Sequence, residues 1–512
     1  MRRRTLPEST RTAWRTLTSM RTALLLLFLL ALAAVPGSLF PQENLDPGAV
    51  TRYVVEHPTL GVWLSRLGFF RVYTAPWFLL IYVLLGISLV GCLTPRIRFH
   101  AAALRGRPPA PPRALTRLGY ADTWTSERSA DDVTADASRL LRRRRWRVQQ
   151  HDLADGARAV AAEKGYARDT GNLVFHVALL GLLVAVGYGS AFGFTAHALI
   201  VEGDTFTNTD AAYDDLRAGR FGSPQDLPPF SVTLDDFDAT FLPNGQPADF
   251  RADVRYARDA DQPAQQQRIR VNHPLTVERA RVYLLDHGYA PQLVVRDRAG
   301  RVVHDAATPF VTKSDNLLSL GVVKIPDAGP VQLGVQGVFF PTLGVQSGQA
   351  FSRFPDPQLP ALSYVVWAGD LGLDSGAPQN VYELDTTRLV RAKEGLAVPG
   401  ETVRGLPGGA TMTFVGYREW ALFRVSRDPG KMPALVFAAL ALGGLVVSLR
   451  GRRRRVWVRT AAGPGGTVVT VGGLARQDAE GFAPEFAAVR GALLEAAPAA
   501  TPAPLPAEEH QP

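Results

Sequence analysis

Four long runs of apolar residues dominate the hydropathy pattern of this chain. They cover residues 22–40, 76–94, 173–192 and 433–449. Each run is close to the roughly 20 residues that a helix, rising about 1.5 Å per residue, needs to cross about 30 Å of hydrocarbon. The pattern therefore predicts an α-helical membrane protein with four transmembrane helices, two of them near the start of the chain.

The longest polar stretch, residues 193–432, separates the third run from the fourth. It contains short β-rich segments punctuated by Gly, Pro and Asp, and helical periodicity is scarce. The segments predicted as strands are 230–234, 275–285, 292–295, 331–337, 363–366, 381–384 and 411–415. This pattern is typical of an antiparallel β sandwich or a pair of β units, so we expect one large, β-rich, sandwich-like domain.

A smaller folded unit is predicted between the second and third runs, within residues 95–172. A Pro/Arg-rich connector is followed by a predicted strand, helix and hairpin, which cover 120–124, 129–143 and 146–164. Ser129, with two acidic residues after it, is a good helix N-cap, and Asp155-Gly156 is a strong hairpin signal. These elements predict a small α/β unit.

Three further segments complete the predicted organisation. Residues 41–75 are expected to form one or two short helices beside a cluster of aromatic residues. Residues 450–495 contain a predicted hairpin within 467–473 and a predicted helix over 484–494. The stretch 496–512 is rich in Ala and Pro, cannot form a core and is expected to be disordered.

Arginine residues are concentrated at alternate ends of the apolar runs. Clusters lie in residues 1–21, at the start of 95–172 and in 450–455. Short, arginine-rich flanks stay in the cytoplasm. We therefore expect a multi-pass protein of the cell membrane with both termini and the small α/β unit in the cytoplasm. Residues 41–75 and the β-rich domain are then extracytoplasmic.

Composition excludes several classes of protein. The net charge of +9 comes from the arginine-rich flanks, and no basic patch with interleaved aromatic residues suggests nucleic-acid binding. Cys92 is the single cysteine, so the chain has no Cys-x-x-Cys and is neither a dithiol oxidoreductase nor a c-type cytochrome. Conventional enzyme signatures are absent, and we predict no catalytic residue and no metal site.

His176 has an unusual position, because it lies inside the third apolar run. It is about one helical turn, roughly 6 Å, from the predicted cytoplasmic boundary. Ionisable side chains within a span face a cavity or a partner more often than lipid. A neutral imidazole there could ligate a haem iron between helices. The alternative is an interfacial histidine, hydrogen-bonded to headgroups or to a neighbouring helix, and both interpretations remain open.

Glycines Gly181, Gly187, Gly189 and Gly193 lie in the same run or at its end. Small residues let another helix approach closely. They fit packing within this chain and docking of a second membrane subunit equally well.

Two histidine segments bracket one predicted strand of the β-rich domain. They are Asn272-His273-Pro274 and His287-Gly288-Tyr289. The side chains of His273, His287 and Tyr289 could line one site. The alternative is that each is a structural residue at a strand end, because both segments look like turn signals.

An ordered series of short motifs resembles the ResB family, also called CcsB, of cytochrome c biogenesis proteins. The resemblance runs from Trp14 to the start of the Ala/Pro-rich stretch. Its motifs include Pro36-Gly37-Ser38, Ala75-Pro76-Trp77-Phe78, Phe175-His176, Asn272-His273-Pro274-Leu275, His287-Gly288-Tyr289-Ala290-Pro291, Arg418-Glu419-Trp420 and Asp428-Pro429-Gly430. Their order, together with the four apolar runs, makes the resemblance specific.

The resemblance implies an accessory, non-enzymatic membrane subunit of a system II cytochrome c synthase complex. Such proteins pair with a ResC- or CcsA-type membrane protein and bring haem to the outer face for attachment to apocytochrome c. A thioredoxin-like thiol reductant is a further expected partner. Haem would be bound transiently and shared with the partner. His176 best matches an intramembrane haem ligand of fused family members, and His273, His287, Tyr289 and Trp420 are partner-binding or structural candidates.

A second hypothesis belongs to another class of protein. The chain would be a membrane-anchored structural or sensory protein whose β-rich domain binds an extracytoplasmic ligand, without any role for haem. The position of His176 and the glycine-rich third run favour the first hypothesis.

Overall fold

The computed structural model describes residues 8–43, 47–223, 227–259, 262–373, 383–475 and 479–500. The chain divides into two compact units, one of Met1–Val186 with Met432–Pro512 and the other of Gly187–Lys431. Two predictions fall partly outside the described residues. Of the strand predicted at 381–384, residues 381–382 lie outside them and the other two are not in a strand. Of the tail predicted to be disordered, residues 501–512 lie outside them.

The helices are numbered in chain order. They are α1 (Glu8–Leu17), α2 (Met20–Leu39), α3 (Pro47–Glu56), α4 (Pro58–Leu67), α5 (Pro76–Arg105), α6 (Ala130–Arg143), α7 (Tyr166–Phe192), α8 (Lys431–Arg450) and α9 (Ala479–Ala496). Helices α3 and α4 confirm the short helices expected within residues 41–75.

Helices α2, α5, α7 and α8 are long and apolar enough to cross a membrane, as the four apolar runs predict. Two of them are longer than their runs. Helix α5 continues through Pro95 to Arg105, and α7 begins at Tyr166. Pro95 removes one backbone hydrogen bond, but the residues after it include three consecutive alanines, which favour helix. The apolar pattern marks the part of each helix that fits hydrocarbon and not the ends of the helix.

Helices α7 and α8 pack so closely that their backbones touch at glycine residues. A Cβ added at Gly171 would lie 2.6 Å from the backbone nitrogen of Ser448, and one at Gly444 would lie 2.7 Å from that of Phe175. A Cβ at Gly181 would lie 2.4 Å from the ring of Phe437. Gly181 therefore serves packing within this chain, which is one of the two interpretations of the glycines in this run.

The strands are also numbered in chain order. They are β1 (Tyr120–Ser126), β2 (Arg147–Asp152), β3 (Arg158–Lys164), β4 (Phe194–Val201), β5 (Thr205–Thr207), β6 (Asp215–Ala218), β7 (Ser231–Phe241), β8 (Pro247–Ala257), β9 (Gln265–Arg270), β10 (Leu275–Val277), β11 (Ala280–Arg296), β12 (Val302–Ala307), β13 (Val311–Thr312), β14 (Ser319–Ile325), β15 (Gln332–Phe340), β16 (Leu343–Gln346), β17 (Gln349–Ser352), β18 (Ala361–Gly369), β19 (Leu389–Ala397), β20 (Thr402–Val403), β21 (Thr411–Arg427), β22 (Arg454–Gly463) and β23 (Gly466–Ala475).

One antiparallel sheet of the first unit joins segments that are far apart in sequence. Its strand order is β1-β23-β22-β3-β2. Within the C-terminal region 450–495, β22 pairs with β3 and places Trp457 opposite Ala161. The hairpin predicted within 467–473 is wrong, because these residues form part of β23 and the hairpin is β22–β23. Local patterns cannot reveal a pairing over almost 300 residues.

Helices α6 and α9 cover one face of this sheet. Leu141 of α6 and Phe482 of α9 pack with Val160, Val458 and Val471 of the strands in one buried core. The predicted N-cap of α6 is confirmed, because the Ser129 hydroxyl accepts a hydrogen bond of 3.1 Å from the backbone N–H of Asp132. The predicted α/β unit exists, and the C-terminal strands and α9 complete it.

The second unit consists of two β lobes that share two long strands. The sheet of order β10-β11-β21-β4-β6 faces the sheet of order β5-β7-β8-β9 around one core, which includes Val254 and Phe423. A second core, which includes Leu293 and Phe339, is built with the sheet of order β13-β14-β15-β18-β19. Strands β11 and β21, 17 residues each, run through both cores. The large β-rich domain expected from the sequence is confirmed, and of the two architectures left open it has the pair of β units.

The strand predicted over 275–285 is wrong. The chain forms a tight hairpin there, in which β10 pairs with β11. Glu278 and Arg279 both have positive φ angles, 46° and 67°, as a two-residue hairpin turn requires. Asn or Gly usually signals this turn, and neither is present.

Candidate functional site

The imidazole of His176 lies on a partly exposed face of α7. Its Nδ1 is 2.7 Å from the backbone carbonyl oxygen of Asn172, one turn earlier. Because a carbonyl only accepts, Nδ1 must carry the proton and donate. The lone pair of Nε2 is then free to act as a ligand. Metal-ligating histidines commonly donate their other N–H in this way.

Helix α7 contacts α5 at two points along its length. The Tyr82 hydroxyl of α5 donates to the carbonyl oxygen of Leu183, and His100 of α5 lies 3.0 Å from the Thr170 hydroxyl. In sequence, His176 lies six residues after Thr170 and seven residues before Leu183. His176 therefore lies between two points at which α7 contacts α5.

A second constellation lies where the two β lobes meet. In the pairing of β11 with β21, His287 is opposite Ala421, Gly288 is opposite Trp420, and Tyr289 is opposite Glu419. His287 is thus in the middle of a continuous strand, and its placement at a strand end is wrong. The Trp420 ring occupies the space beside Gly288, where another residue would have its side chain.

Trp420 and Tyr289 fasten this junction on opposite faces. The Trp420 indole N–H donates to the carbonyl oxygens of Tyr289 and Phe310, each at 3.2 Å. A Cβ at Gly288 would lie 2.5 Å from the Trp420 ring. The hydroxyl of Tyr289, itself fully buried, donates to the carbonyl oxygen of Pro355 at 2.9 Å.

His287 is held in an aromatic enclosure. Only 6% of it is exposed, and its ring centroid lies 4.4 Å from that of Phe250 and 5.2 Å from that of Phe237. Among the described residues its Nδ1 has no hydrogen-bond partner. Burial lowers the pKa of His287 to about 4, so the imidazole is neutral at physiological pH.

Glu419 lies on the same face as His287 and Tyr289, because alternate strand positions share a face. Burial, followed by the negative charge of Glu202, raises the pKa of Glu419 to about 8. The Glu202 carboxylate accepts hydrogen bonds from the backbone N–H groups of Phe237 at 2.8 Å and Glu419 at 3.1 Å. Glu419 therefore holds a proton at neutral pH, and its Oε2 has no partner within the described residues.

The fold brings three of the sequence-predicted residues together and leaves two apart. His287, Tyr289 and Trp420 share the lobe junction. His273 is exposed in the turn between β9 and β10, with its Nδ1 3.2 Å from the carbonyl oxygen of Val271. His176 belongs to the other unit. Across the described ranges, no group of three or more His, Cys, Asp or Glu side chains is arranged to hold a metal ion.

Sequence reasoning missed Glu419 and Glu202 as members of the junction. A signal was present for Glu419, because Trp420 and the apolar residues 421–423 directly follow it in the same strand. Glu202 carries no comparable signal, since it follows the end of β4 and reaches Phe237 only through the fold.

Comparison with known proteins gives a consistent result. The family model of the ResB-like family matches residues 20–487. A protein of Synechococcus sp. (strain JA-3-3Ab) named cytochrome c biogenesis protein CcsB is 28% identical over 435 residues, which cover 79% of this chain and 83% of that protein.

Two further proteins of the same name align over nearly their whole lengths. That of Synechococcus sp. (strain CC9902) is 26% identical over 93% of this chain and 96% of its own length. The protein of Prochlorococcus marinus (strain MIT 9303) is 26% identical over 94% of this chain and 98% of its own length. The family match covers both units, all four apolar helices and the lobe junction, and the chain belongs to the ResB-like family.

Proposed function

We propose that this chain is a membrane subunit of a cytochrome c assembly complex that assists haem delivery across the membrane and presents apocytochrome c for covalent attachment of haem. Membership of the ResB-like family and relatives named cytochrome c biogenesis protein CcsB support the proposal. The four apolar helices supply a membrane part, and the two β lobes supply a large folded surface.

The observation that carries the haem role is the hydrogen bond from His176 Nδ1 to Asn172 O. It fixes the tautomer that leaves Nε2 available, on a helix face that is partly exposed between two contacts with α5. Haem is the cargo, and its iron accepts an imidazole nitrogen as an axial ligand. His176 would hold the cargo transiently, together with a ligand from a ResC- or CcsA-type partner.

The role of the β lobes is to hold apocytochrome c and the partner in register. Tyr289 and Trp420 tie the strands of the lobe junction to neighbouring loops, which makes the junction a rigid frame. Cys92 is the single cysteine and belongs to α5. The chain therefore supplies no thiol from its β lobes, and attachment of haem depends on thiols of the apocytochrome and on a thioredoxin-like reductant. The chain is thus an accessory subunit and not an enzyme by itself.

The proposed topology places both termini and the α/β unit in the cytoplasm and the β lobes outside. It is supported by the arginine clusters that flank α2, α5 and α8. The chain would be a multi-pass protein of the cell membrane, and a cargo that comes from the cytoplasm would meet His176 before it reaches the lobes.

A covalent-haem stain of membranes from cells with and without the gene tests this function. The expected result is loss of all c-type cytochromes in the deletion strain, while their apoproteins are still made and exported. Restoration by a plasmid-borne copy is the control. Normal holocytochromes in the deletion strain would overturn the proposal and favour an extracytoplasmic ligand-binding role for the β lobes.

A further inference from the structure

Four consecutive arginines, Arg142–Arg145, cover the last two residues of α6 and the start of the turn that leads to β2. All four are exposed, and no ion pair forms to any of them within the described part of the chain. Other arginines of the same α/β unit do pair with carboxylates: Arg128 and Arg139 with Asp136, Arg158 with Asp131, Arg459 with Asp155, and Arg490 with Asp122. Uncompensated positive charge is therefore concentrated at this turn.

The turn is ordered, and one arginine occupies a strained position in it. The backbone N–H of Trp146 donates to Leu141 O at 3.0 Å, and that of Arg145 donates to Arg142 O at 2.9 Å. These two bonds form a Schellman motif, in which glycine usually occupies the left-handed residue. Here that residue is Arg145, with φ 60°. Left-handed backbone is unfavourable for a residue with a Cβ, so glycine would be more stable than arginine at this position.

The turn lies at the end of the α/β unit that connects to the apolar helices. The Lys164 ammonium, at the end of β3 and just before α7, lies 4.8 Å from the ring centroid of Trp146. Arg147, the first residue of β2, donates to Leu104 O near the end of α5 at 2.7 Å. Its guanidinium also lies 5.5 Å from the centroid of the Tyr166 ring, at the start of α7. Only Trp146 therefore separates the four arginines from Arg147, which contacts both α5 and α7.

We propose that Arg142–Arg145 dock the α/β unit on anionic phospholipid headgroups of the membrane that α5 and α7 cross. The partner is fixed by charge complementarity and by the contacts of Arg147, two residues after Arg145, with α5 and α7. Guanidinium groups bind phosphate through paired N–H donors, and basic residues close to a membrane surface are attracted to anionic lipids. The inference rests on the proposed membrane topology and is independent of haem.

Hydrogen–deuterium exchange of the full-length protein in lipid nanodiscs tests this docking. Nanodiscs of phosphatidylcholine alone are compared with nanodiscs that also contain phosphatidylglycerol. Backbone amides of residues 140–148 are expected to exchange several-fold more slowly in the anionic nanodiscs. The difference should disappear when all four arginines are replaced by Gln and persist when they are replaced by Lys.

Arg145→Gly gives a second variant that cannot fail through misfolding of the turn. It relieves the left-handed strain, so the thermal midpoint of the α/β unit should rise while the protection by phosphatidylglycerol becomes smaller. Equal exchange in both nanodiscs for the unchanged protein would overturn the proposal, as would protection that survives the four Gln substitutions. Haem content of the same preparations is a separate readout, so failure of the docking and failure of the haem role are distinguishable.

Discussion

The indole N–H of Trp420 donates to the backbone carbonyl oxygen of Tyr289 across the central strand pair of the β lobes, at 3.2 Å. The two residues are offset by one position, because Trp420 lies opposite Gly288. The ring of Trp420 can lie flat over the strand only because Gly288 has no side chain. The hydrogen bond, the glycine and the buried Tyr289 hydroxyl thus form one arrangement that fastens both lobes to β11.

Gly288→Ala is expected to destabilise the β lobes by about 1–3 kcal/mol, because the added methyl would overlap the ring of Trp420. Urea unfolding of the purified full-length protein measures the effect, and proteolysis of the β lobes reports the extent of unfolding. Gly416→Ala in β21 is the matched control, since a Cβ there meets no atom within 4 Å. Equal stability of the two variants would contradict the close packing at Gly288.

Glu419→Gln is expected to stabilise the lobes, and more strongly at pH 9 than at pH 5. The pKa of Glu419 rises from its usual 4.5 to about 8 in the folded protein. Folding therefore favours the protonated acid. The carboxyl of Glu419 costs the folded protein no stability below about pH 4.5, and the cost grows as the pH rises towards 8. Gln cannot ionise, so it removes this cost.

Unfolding of the Glu419→Gln variant should be followed from pH 5 to pH 9. Glu394→Gln, at an exposed ion pair with Arg391, is the control and should leave the pH dependence unchanged. A stabilisation by Glu419→Gln that is the same at both pH values would show that ionisation of Glu419 is not the cause.

His287→Phe is expected to make the lobes less sensitive to acid. The pKa of His287 falls from 6.5 to about 4 on folding, so the folded protein favours the neutral ring. The stability that this provides is complete above about pH 6.5 and is lost as the pH falls through 4. Phe keeps an aromatic ring among Phe237 and Phe250 but has no proton to gain. Thermal midpoints at pH 4.5 and pH 7 measure the difference, with His273→Phe in the exposed turn as control.

Glu163→Gln is expected to destabilise the α/β unit by about 3 kcal/mol, because it removes a buried carboxylate and leaves two partly buried arginines without their counter-charge. The Glu163 carboxylate accepts from Arg453 at 2.6 Å, Arg455 at 2.9 Å and the Tyr166 hydroxyl at 2.6 Å. Burial opposes its ionisation, yet these hydrogen bonds keep the pKa of Glu163 below its usual value.

The stability contributed by Glu163 is therefore present above about pH 4.5 and lost as the pH falls below that value. Hydrogen exchange of β3 and β22 in the full chain measures it. Asp155→Asn removes an exposed ion pair with Arg459 in the same sheet and should cost much less stability than Glu163→Gln. A similar loss in both variants would mean that the Glu163 network does not act as a buried charge.

His176→Ala is expected to lower the haem retained by the purified assembly complex, because it removes the free Nε2 from α7. Haem per complex is measured by pyridine haemochrome absorbance. His273→Ala, in an exposed turn of the β lobes, is the control and should keep its haem. Unchanged haem after His176→Ala would exclude this residue as a ligand, and a selective loss after His273→Ala would move the site to the lobes.

Much of the fold is predictable from local patterns. The four apolar helices follow from runs of hydrophobic residues, α6 from the Ser129 cap, and the β2–β3 hairpin from Asp155-Gly156. The β10–β11 hairpin is not predictable in this way, because Glu278 and Arg279 adopt a turn that sequence rules reserve for Asn and Gly. His287-Gly288 looks like a strand end in the sequence, because glycine commonly marks a turn. Only the tertiary structure shows that the Trp420 ring occupies the space beside Gly288.

The sequence by itself determined the family, the membrane character and the candidate role of His176, because these depend on residue type and on position along one helix. The tertiary structure alone decided that β22 and β23 complete the α/β unit. It also decided that the Glu202 carboxylate accepts from the backbone N–H groups of Phe237 and Glu419, and that Arg147 contacts both α5 and α7. Each of these depends on residues far apart in sequence, whose contacts are set by sheet register and burial and leave no periodic signal in the chain.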